Sequence, residues 1–314
     1  MSLRQTLDLS LLQLPSSVRT IVRSGLEEST WTQYGKHVDL YRTFLEDPQE
    51  SGATSDERHM LRFAGKLFEQ GMQPRTITSV WAAVARYRDL RQWPQLEGPL
   101  MALFRKGVKK HQRAAPVKRP LAAEAILNIL DGLALSDGKL RLQQLGILLA
   151  FTCFLRSNTI GHVRLIDLVP IVKVIPGFFV SDKQAVVGFT LRLTREKFGS
   201  TNRVMHVESP WGARLLSELQ QSLLQTGSSF TDICGPTSEW AELLQPAPAF
   251  GYYAFHSVRK GAASNALCHG IPLHAVQRFG GWSQVDTVLQ NYAEHDYIKN
   301  PRARIFVEHL SSVA

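Results

Sequence analysis

The apolar residues in the first third of the chain recur every three or four positions, as they do along one side of a helix. The first such stripe predicts a helix over residues 31–45, and its members are Trp31, Tyr34, Val38, Tyr41 and Leu45. Further stripes predict helices that begin near Asp56, at Pro74 and near Pro99. Their apolar members are Leu61, Ala64, Leu67, Phe68, Ile77, Val80, Val84, Tyr87, Leu103, Phe104 and Val108. We therefore expect a small helical domain over residues 25–113, preceded by a tail over residues 1–24.

The pattern changes twice in the rest of the chain. One helix is predicted over residues 122–133, and a strongly apolar one over residues 145–155 ends just before Arg156. Residues 166–207 instead contain three runs rich in β-branched and aromatic residues, which predict a small antiparallel sheet. Helices resume over residues 211–225 and continue to the end. The expected fold class is mainly α with a small antiparallel β-sheet.

Basic residues are concentrated before residue 120. The formal net charge is +9, and residues 1–119 hold 19 Lys and Arg against 12 Asp and Glu, a net of +7. Residues 105–120 carry seven basic residues and no acidic one, and Pro116 and Pro120 prevent a helix from continuing through them. Such a run favours contact with phosphate, so nucleic acid is the first partner to consider. A solvated basic surface is the alternative.

We accordingly expect a basic linker over residues 114–120 and a second domain over residues 121–314. The candidate DNA-contacting residues are Arg75, Arg86, Lys109, Lys110, Arg113, Lys118 and Arg119. The basic residues of the run are expected to bind phosphates, whereas base reading is expected on the helix over residues 75–91, which also offers Thr76, Ser79 and Arg88. A solvated helix face is the alternative for each of these helix residues.

The composition disfavours several other classes of protein. No run approaches the ~18 consecutive apolar residues of a membrane span, and the first residues lack the apolar core of a signal peptide. The cysteines, Cys153, Cys234 and Cys268, are odd in number and far apart, which favours a reducing, intracellular compartment. The adjacent Cys268 and His269 suit zinc poorly, so we expect no metal site.

Residues 255–270 combine an imidazole and a guanidinium at the start of a predicted helix. Ser257 can cap this helix and Gly270 can end it. His256 and Arg259, three positions apart, then lie on one side of the helix. Arginine binds two phosphate oxygens as a fork, and histidine moves a proton near neutral pH, so the pair suits a phosphate group.

This spacing is weak by itself, because it also occurs at His59 and Arg62, which we interpret as an exposed helix face. The residues that follow the second pair are more informative. A short helix from Pro272 is stopped by two glycines, and Trp282 comes next. Another predicted helix then carries an apolar stripe formed by Val285, Val288, Leu289 and Tyr292. From the stripe alone, Tyr292 is a core residue; only its context indicates chemistry.

The segment HSVRKGAASNALCHGIPLHAVQRFGGWSQVDTVLQNY resembles the C-terminal signature of the tyrosine recombinase, or phage integrase, family. That signature is His-x-x-Arg, a helix, a short helix ending in glycine, then His or Trp, and finally a nucleophilic tyrosine. His256, Arg259, Trp282 and Tyr292 occupy these positions. The family's first arginine follows an apolar helix, as Arg156 does.

The family's lysine lies on a β-hairpin between the two arginines, and Lys197 matches it, with Lys183 as a rival. Two departures are visible. Trp282 and Tyr292 are ten residues apart, one more than is usual, and Thr159 stands where the family often has an acidic residue. The resemblance spans residues 120–310, and its Arg-Lys-Gly-Ala-Ala-Ser run is similar to recombinases of some eukaryotic mobile elements.

The resemblance implies a helical DNA-clamping domain and an α+β catalytic domain with a C-terminal exchange helix. It implies cutting and rejoining of double-stranded DNA through a 3′-phosphotyrosine at Tyr292, by a homotetramer on two sites, without metal, ATP or organic cofactor. Arg156 and Arg259 would neutralise the transition state, His256 would act as base and Lys197 as acid. Trp282 would donate a hydrogen bond to a phosphate oxygen.

Two other functions remain open. One is a type IB topoisomerase-like enzyme that relaxes DNA as a monomer, and the other is a catalytically inactive DNA-binding regulator. The end of the chain bears on the first, because its apolar residues either dock on a neighbouring subunit or pack on their own domain. These residues are Ile305, Phe306, Val307 and Leu310.

Overall fold

The structure is a computed structural model, which describes residues 15–23, 25, 28–47, 57–93, 98–111, 119–175, 183–193, 203–222, 228–244, 253–293 and 297–311. The chain divides into two compact units, Met1–Pro116 and Val117–Ala314. Each unit has a hydrophobic core of its own, so each buries apolar surface independently of the other.

The described part of the first unit consists of helices joined by short connections. They are α1 (Ser16–Arg23), α2 (Glu28–Glu46), α3 (Glu57–Glu69), α4 (Pro74–Leu90) and α5 (Pro99–His111). The first of these lies inside the range expected to be a tail. The stripe predicted for α4 is confirmed, because all four of its members are buried: Ile77, Val80, Val84 and Tyr87. Leu103 of α5, by contrast, is 63% exposed.

The buried side of α3 is only partly the predicted one. Ala64 and Leu67 are buried as predicted, but His59 is buried as well and Phe68 is largely exposed. The His59 ring lies edge-on to Phe44, with 4.9 Å between ring centroids. The interpretation of His59 as part of an exposed face is therefore wrong, because the aromatic residues of α2 offer the imidazole a packing surface.

Arg88 is also placed differently from the expectation. Its side chain is only 2% exposed, its Nη1 donates to the Tyr41 hydroxyl at 3.2 Å, and its guanidinium lies 5.4 Å from the Trp93 ring centroid. The positive charge is thus held inside the first unit by a hydrogen bond and an aromatic face. The expectation that Arg88 offers polar reach toward bases is wrong.

The second unit combines helices with a small sheet. Its helices are α6 (Ala123–Gly132), α7 (Gly138–Thr152), α8 (Ser157–His162), α9 (Pro210–Ser222), α10 (Phe230–Cys234), α11 (Phe255–Cys268), α12 (Leu273–Gly280) and α13 (Val285–Asn291). Its strands are β1 (Leu168–Ile175), β2 (Lys183–Leu193) and β3 (Arg203–Glu208). They pair in the order β1-β2-β3, antiparallel throughout, which confirms the predicted fold class.

The centre of the second unit is α7. Every residue from Leu145 to Leu155 is buried, although the helix itself begins earlier than predicted, at Gly138, and ends at Thr152. A segment that is apolar on all sides is stable only when it is enclosed by other elements. The run that is most apolar in the sequence therefore forms the core against which α9, α10 and α11 pack.

The end of the chain packs on its own unit. Pro301–Phe306 and Glu308–Leu310 form two short 3₁₀ helices, and the Phe306 ring lies 5.4 Å from Phe151 and 5.1 Å from Trp211. Of the two arrangements considered for this segment, the single chain adopts the one within its own domain. None of the helices in the described part of the chain has the length and hydropathy needed to cross a membrane.

Candidate active site

Helix α11 begins against the first residues of the second unit. Its N-cap is Ala254 rather than the predicted Ser257, whose hydroxyl instead accepts the backbone N–H of Ala254 at 3.2 Å. The backbone carbonyl of Ser257 accepts the N–H of Leu121 at 2.8 Å. One turn further, a Cβ on Gly261 would overlap the Leu121 carbonyl, so this close approach requires glycine. These contacts fix the orientation of the turn that carries His256 and Arg259.

Arg259 is buried at the centre of the site, with 1% of its surface exposed. Its Nη1 donates to the backbone carbonyl of Phe154, and its Nη2 donates to that of Gly280 at 2.7 Å. The guanidinium carbon lies 4.1 Å from the Trp282 ring centroid and 5.6 Å from that of Tyr292. Carbonyl oxygens and aromatic faces both favour a buried cation. The guanidinium is therefore held in one orientation.

The turn before Trp282 is built from two glycines. Gly281 ends α12 in the left-handed region, with φ of 67°, and a Cβ on Gly280 would overlap the Trp282 ring. The turn consequently lays the indole over the guanidinium of Arg259. The indole N–H is buried and has no hydrogen-bond partner among the described residues. Because an unpaired buried donor is costly, this atom is a ready donor for a ligand oxygen.

Tyr292 lies beside Trp282 and His256 in the same site. Its ring centroid lies 4.7 Å from that of Trp282 and 5.2 Å from that of His256. The residue caps α13 rather than lying within it, and Leu289 is 44% exposed, so the predicted apolar stripe is only partly correct. The tyrosine is half-buried. The additional residue before it does not prevent contact between its ring and Trp282.

Tyr297, the next tyrosine along the chain, forms a hydrogen bond to a backbone carbonyl. Its hydroxyl donates to the Leu121 carbonyl at 3.0 Å. Burial raises the pKa of Tyr297 well above its usual value, followed by smaller contributions from Glu124 and Cys268. A phenolate is therefore disfavoured at this position, which supports Tyr292 as the candidate nucleophile.

A sharp turn links α7 to Arg156. Phe154 has φ of 52°, in the left-handed region that aromatic residues seldom occupy. Its ring is fully buried, 5.6 Å from Phe279, and its carbonyl accepts the bond from Arg259. Arg156 follows two residues later as the half-buried N-cap of α8. The backbone just before Arg156 is thus hydrogen-bonded to Arg259.

Of the two candidate lysines, the structure describes only Lys183. Lys197 lies outside the described residues, between β2 and β3. The end of β2 at Leu193 pairs with Arg203, which contacts the α12 turn. Lys183 begins β2, ten residues before Leu193, which at about 3.3 Å per residue is roughly 30 Å along the strand. Lys183 therefore lies far along β2 from the α12 turn, and Lys197 stays a prediction.

The DNA-binding candidates fall into three groups. Arg75 and Arg86 are exposed on α4, and Lys110 and Arg119 are exposed at the end of the first unit and the start of the second. For Lys109 only the helical backbone is described. Two candidates lie outside the described residues, namely Arg113 and Lys118.

Two residues in this region were missed by the sequence analysis. The Arg203 side chain donates to the carbonyl of Phe279, in the last turn of α12. The Ser264 hydroxyl, 2% exposed, donates to the carbonyl of Tyr292 at 2.9 Å. Both act through backbone atoms, so no spacing of side chains reveals them.

Comparisons with known proteins identify the fold. Residues 239–298 match the phage integrase family. No curated protein sequence matches the chain. A structure of a lambda integrase dimer bound to a COC′ core site is 14% identical, with a TM-score of 0.60 over 96% of this chain and 98% of that chain.

Two further structures show the same architecture. The Tn1549 transposon integrase in complex with transposon right end DNA is 13% identical, with a TM-score of 0.55 over 99% of this chain and 100% of that one. The site-specific recombinase XerH bound to its difH substrate is 12% identical, with a TM-score of 0.55 over 85% of this chain and 76% of that one. The fold is that of the tyrosine recombinases, and the resemblance seen in the sequence is confirmed.

Proposed function

We propose that this protein is a site-specific DNA recombinase that cuts and rejoins strands through a covalent bond to Tyr292. One observation carries the proposal. The Tyr292 ring centroid lies within 5.6 Å of the ring centroids of Trp282 and His256 and of the guanidinium carbon of Arg259, all in a single chain. A nucleophile, a base and a cation for an oxyanion are thereby brought together.

The chemistry follows from the properties of these groups. Arg156 and Arg259 bind the non-bridging oxygens of a phosphodiester, whose negative charge grows in the transition state. His256 takes the phenolic proton as the Tyr292 oxygen attacks phosphorus, and Trp282 donates to a phosphate oxygen. The bond from phosphorus to the 5′ oxygen breaks, and Lys197 protonates that oxygen. A phosphodiester replaces a phosphodiester, so the reaction requires no ATP, and the two guanidiniums neutralise the charge without a metal ion.

The partners follow from the same proposal. We infer that residues 25–113 form a DNA-clamping domain, that residues 121–314 form the catalytic domain, and that residues 114–120 link them. Double-stranded DNA is the substrate, and two sites are exchanged by four subunits. One solved relative, 14% identical with a TM-score of 0.57, is a lambda integrase tetramer bound to a Holliday junction.

The test is covalent trapping. Random duplexes, nicked so that the short fragment carrying the new 5′ hydroxyl is released after cleavage, are incubated with the protein and denatured, and adducts are recovered for sequencing. Enrichment of one sequence in the adducts, with a tetramer on paired sites, supports recombination. Adducts without sequence preference, with plasmid relaxation by a monomer, would instead identify a topoisomerase-like enzyme. Specific binding without any adduct would identify a regulator.

We expect the two exposed arginines of α4 to read the selected site. Arg75 and Arg86 are eleven positions apart, which returns them to nearly the same side of the helix at a separation of about 16 Å. Changing both to alanine is expected to weaken binding to the selected site by about 1–3 kcal/mol per base contact, with a smaller loss on random DNA. Competition binding measures the difference.

The matched variants separate charge from base reading. Lys110→Ala/Arg119→Ala removes two exposed cations and is expected to weaken both DNAs alike, flattening the log–log salt slope by about 0.9 for each phosphate that is no longer neutralised. Lys66→Ala is the control, because its ammonium already pairs with Asp47 at 3.0 Å. Equal losses on selected and random DNA for the α4 variant would remove α4 from base reading.

A further inference from the structure

The C-terminal end of α12 holds Trp282. The last four carbonyls of a helix have no partner within the helix and must find one elsewhere. Two of the four are satisfied by the following backbone, since Gly281 donates to Arg278 at 3.1 Å and Trp282 donates to Gln277 at 3.1 Å. The left-handed Gly281 makes this closure possible.

The other two carbonyls are satisfied by arginines from distant parts of the chain. Gly280 accepts from Arg259 at 2.7 Å, and Phe279 accepts from Arg203. A cation at the C-terminal end of a helix also meets the negative end of its dipole. Successive carbonyls before Trp282 are thus held by one arginine of the catalytic set and by one that has no assigned role.

We propose that Arg203 is a positioning residue, which holds the Phe279–Trp282 turn so that the indole stays on Arg259 and against Tyr292. This inference rests on the proposed function. In this role Arg203 acts through the carbonyl of Phe279.

The strand is the fixed partner in this contact and the turn is the adjustable one. Arg203 pairs with Leu193 in the ladder between β2 and β3, so its backbone is held by the sheet. The turn contains two glycines, which restrict backbone conformation least. A Cβ on Gly281 would lie 2.9 Å from the guanidinium carbon of Arg203, which shows how closely the side chain lies against the turn.

A movement of the Phe279–Trp282 turn would change the distance from the Trp282 indole to Arg259 and to Tyr292 at the same time. The Trp282 ring is 4.1 Å from the Arg259 guanidinium carbon and 4.7 Å from the Tyr292 ring. Because a displacement of about 1 Å can lower a rate on the order of 100-fold, loss of the Arg203 bond is expected to slow the chemical step. Binding of DNA is not expected to change, since phosphate contacts elsewhere supply most of the affinity.

The test measures single-turnover cleavage of a nicked duplex at saturating protein. We expect Arg203→Ala to lower the rate about 10–100-fold and Arg203→Lys to recover part of the loss, while the Kd for DNA stays within about twofold. Arg214→Ala is the control, because it removes an exposed guanidinium of α9 that pairs with Glu218 along the helix. A wild-type rate in Arg203→Ala would overturn the inference about Arg203. The proposed function would still stand in that case, provided that the unaltered protein forms adducts.

A sulfur-substituted substrate distinguishes the turn from the proton donor. When the leaving 5′ oxygen is replaced by sulfur, the sulfur departs without a proton, so we expect the defect of Lys197→Ala to be rescued. Arg203→Ala should show the same defect on both substrates, and in a Trp282→Phe background it should lower the rate little further. Rescue by sulfur would instead assign Arg203 to the support of the lysine and overturn the inference.

A second readout does not depend on catalysis. In protein labelled with 5-fluorotryptophan, the Trp282 signal is assigned as the one missing from Trp282→Phe. Its fluorine resonance should shift in Arg203→Ala and stay in place in Arg214→Ala. An unmoved resonance would refute the positioning role. If the unaltered protein formed no adduct, the proposed function would fail, and this signal would still decide whether Arg203 holds the turn.

Discussion

Tyr292→Phe is expected to abolish covalent adducts while DNA binding and thermal stability remain near their original values. The substitution removes only the hydroxyl group. The backbone N–H of Tyr292 keeps its hydrogen bond to the Val288 carbonyl, and the Tyr292 carbonyl keeps the one from the Ser264 hydroxyl, each 2.9 Å long. The ring contacts with Trp282 and His256 also remain. Denaturing gels of a nicked duplex measure the adduct, and a filter or gel-shift assay measures binding.

Tyr297→Phe is the matched control. It removes a hydroxyl from a nearby tyrosine, together with the hydrogen bond to the Leu121 carbonyl. We expect it to lower the free energy of unfolding by about 1 kcal/mol and to keep forming adducts. The reverse pattern, with adducts in Tyr292→Phe and none in Tyr297→Phe, would show that the wrong tyrosine has been assigned.

Arg259→Lys is expected to lower the cleavage rate on the order of 100–1,000-fold, the usual effect of losing one donor to a developing oxyanion. Lysine keeps the charge but lacks the planar fork. A lysine ammonium cannot reproduce the geometry in which Arg259 bonds the carbonyls of Phe154 and Gly280 and lies flat on Trp282. Single-turnover cleavage gives the rate, and thermal unfolding checks that the variant is folded.

Mixing two inactive variants tests whether the nucleophile acts within its own chain. Tyr292 contacts the Trp282, His256 and Arg259 of the same chain. A mixture of Tyr292→Phe and Arg259→Lys should therefore form no more adduct than either alone. A substantial recovery of adduct in the mixture would mean that one subunit supplies the tyrosine to the site of another.

The parts of the fold that could be predicted were those marked by a periodic or continuous apolar pattern in the sequence. Periodic burial defines α4 through Ile77, Val80 and Val84, and the apolar run from Leu145 becomes the centre of the second unit. The order of histidine, arginine, tryptophan and tyrosine was visible because each is a side chain at a fixed place in the chain. Periodicity reports burial and spacing, so it succeeds where these decide the structure.

The predictions that failed concern residues whose contacts are with residues distant in the sequence. His59 is buried because Phe44 lies beside it, and Arg88 is buried because the Tyr41 hydroxyl accepts a hydrogen bond from its guanidinium. The left-handed Phe154 has no sequence signal, since its conformation is imposed by the enclosed core and by Arg259. Tertiary contacts override local preference at such positions.

The hydrogen bond from Ser264 to the Tyr292 carbonyl has a consequence for the second half of the reaction. In the proposed intermediate the DNA 3′ end is attached to a tyrosine whose backbone is fastened to α11, the helix that also carries Arg259. The broken end can then move no further than one side chain allows. Rejoining becomes an intramolecular step with a high effective concentration, and the strand that competes successfully is the one whose 5′ hydroxyl reaches the anchored end first.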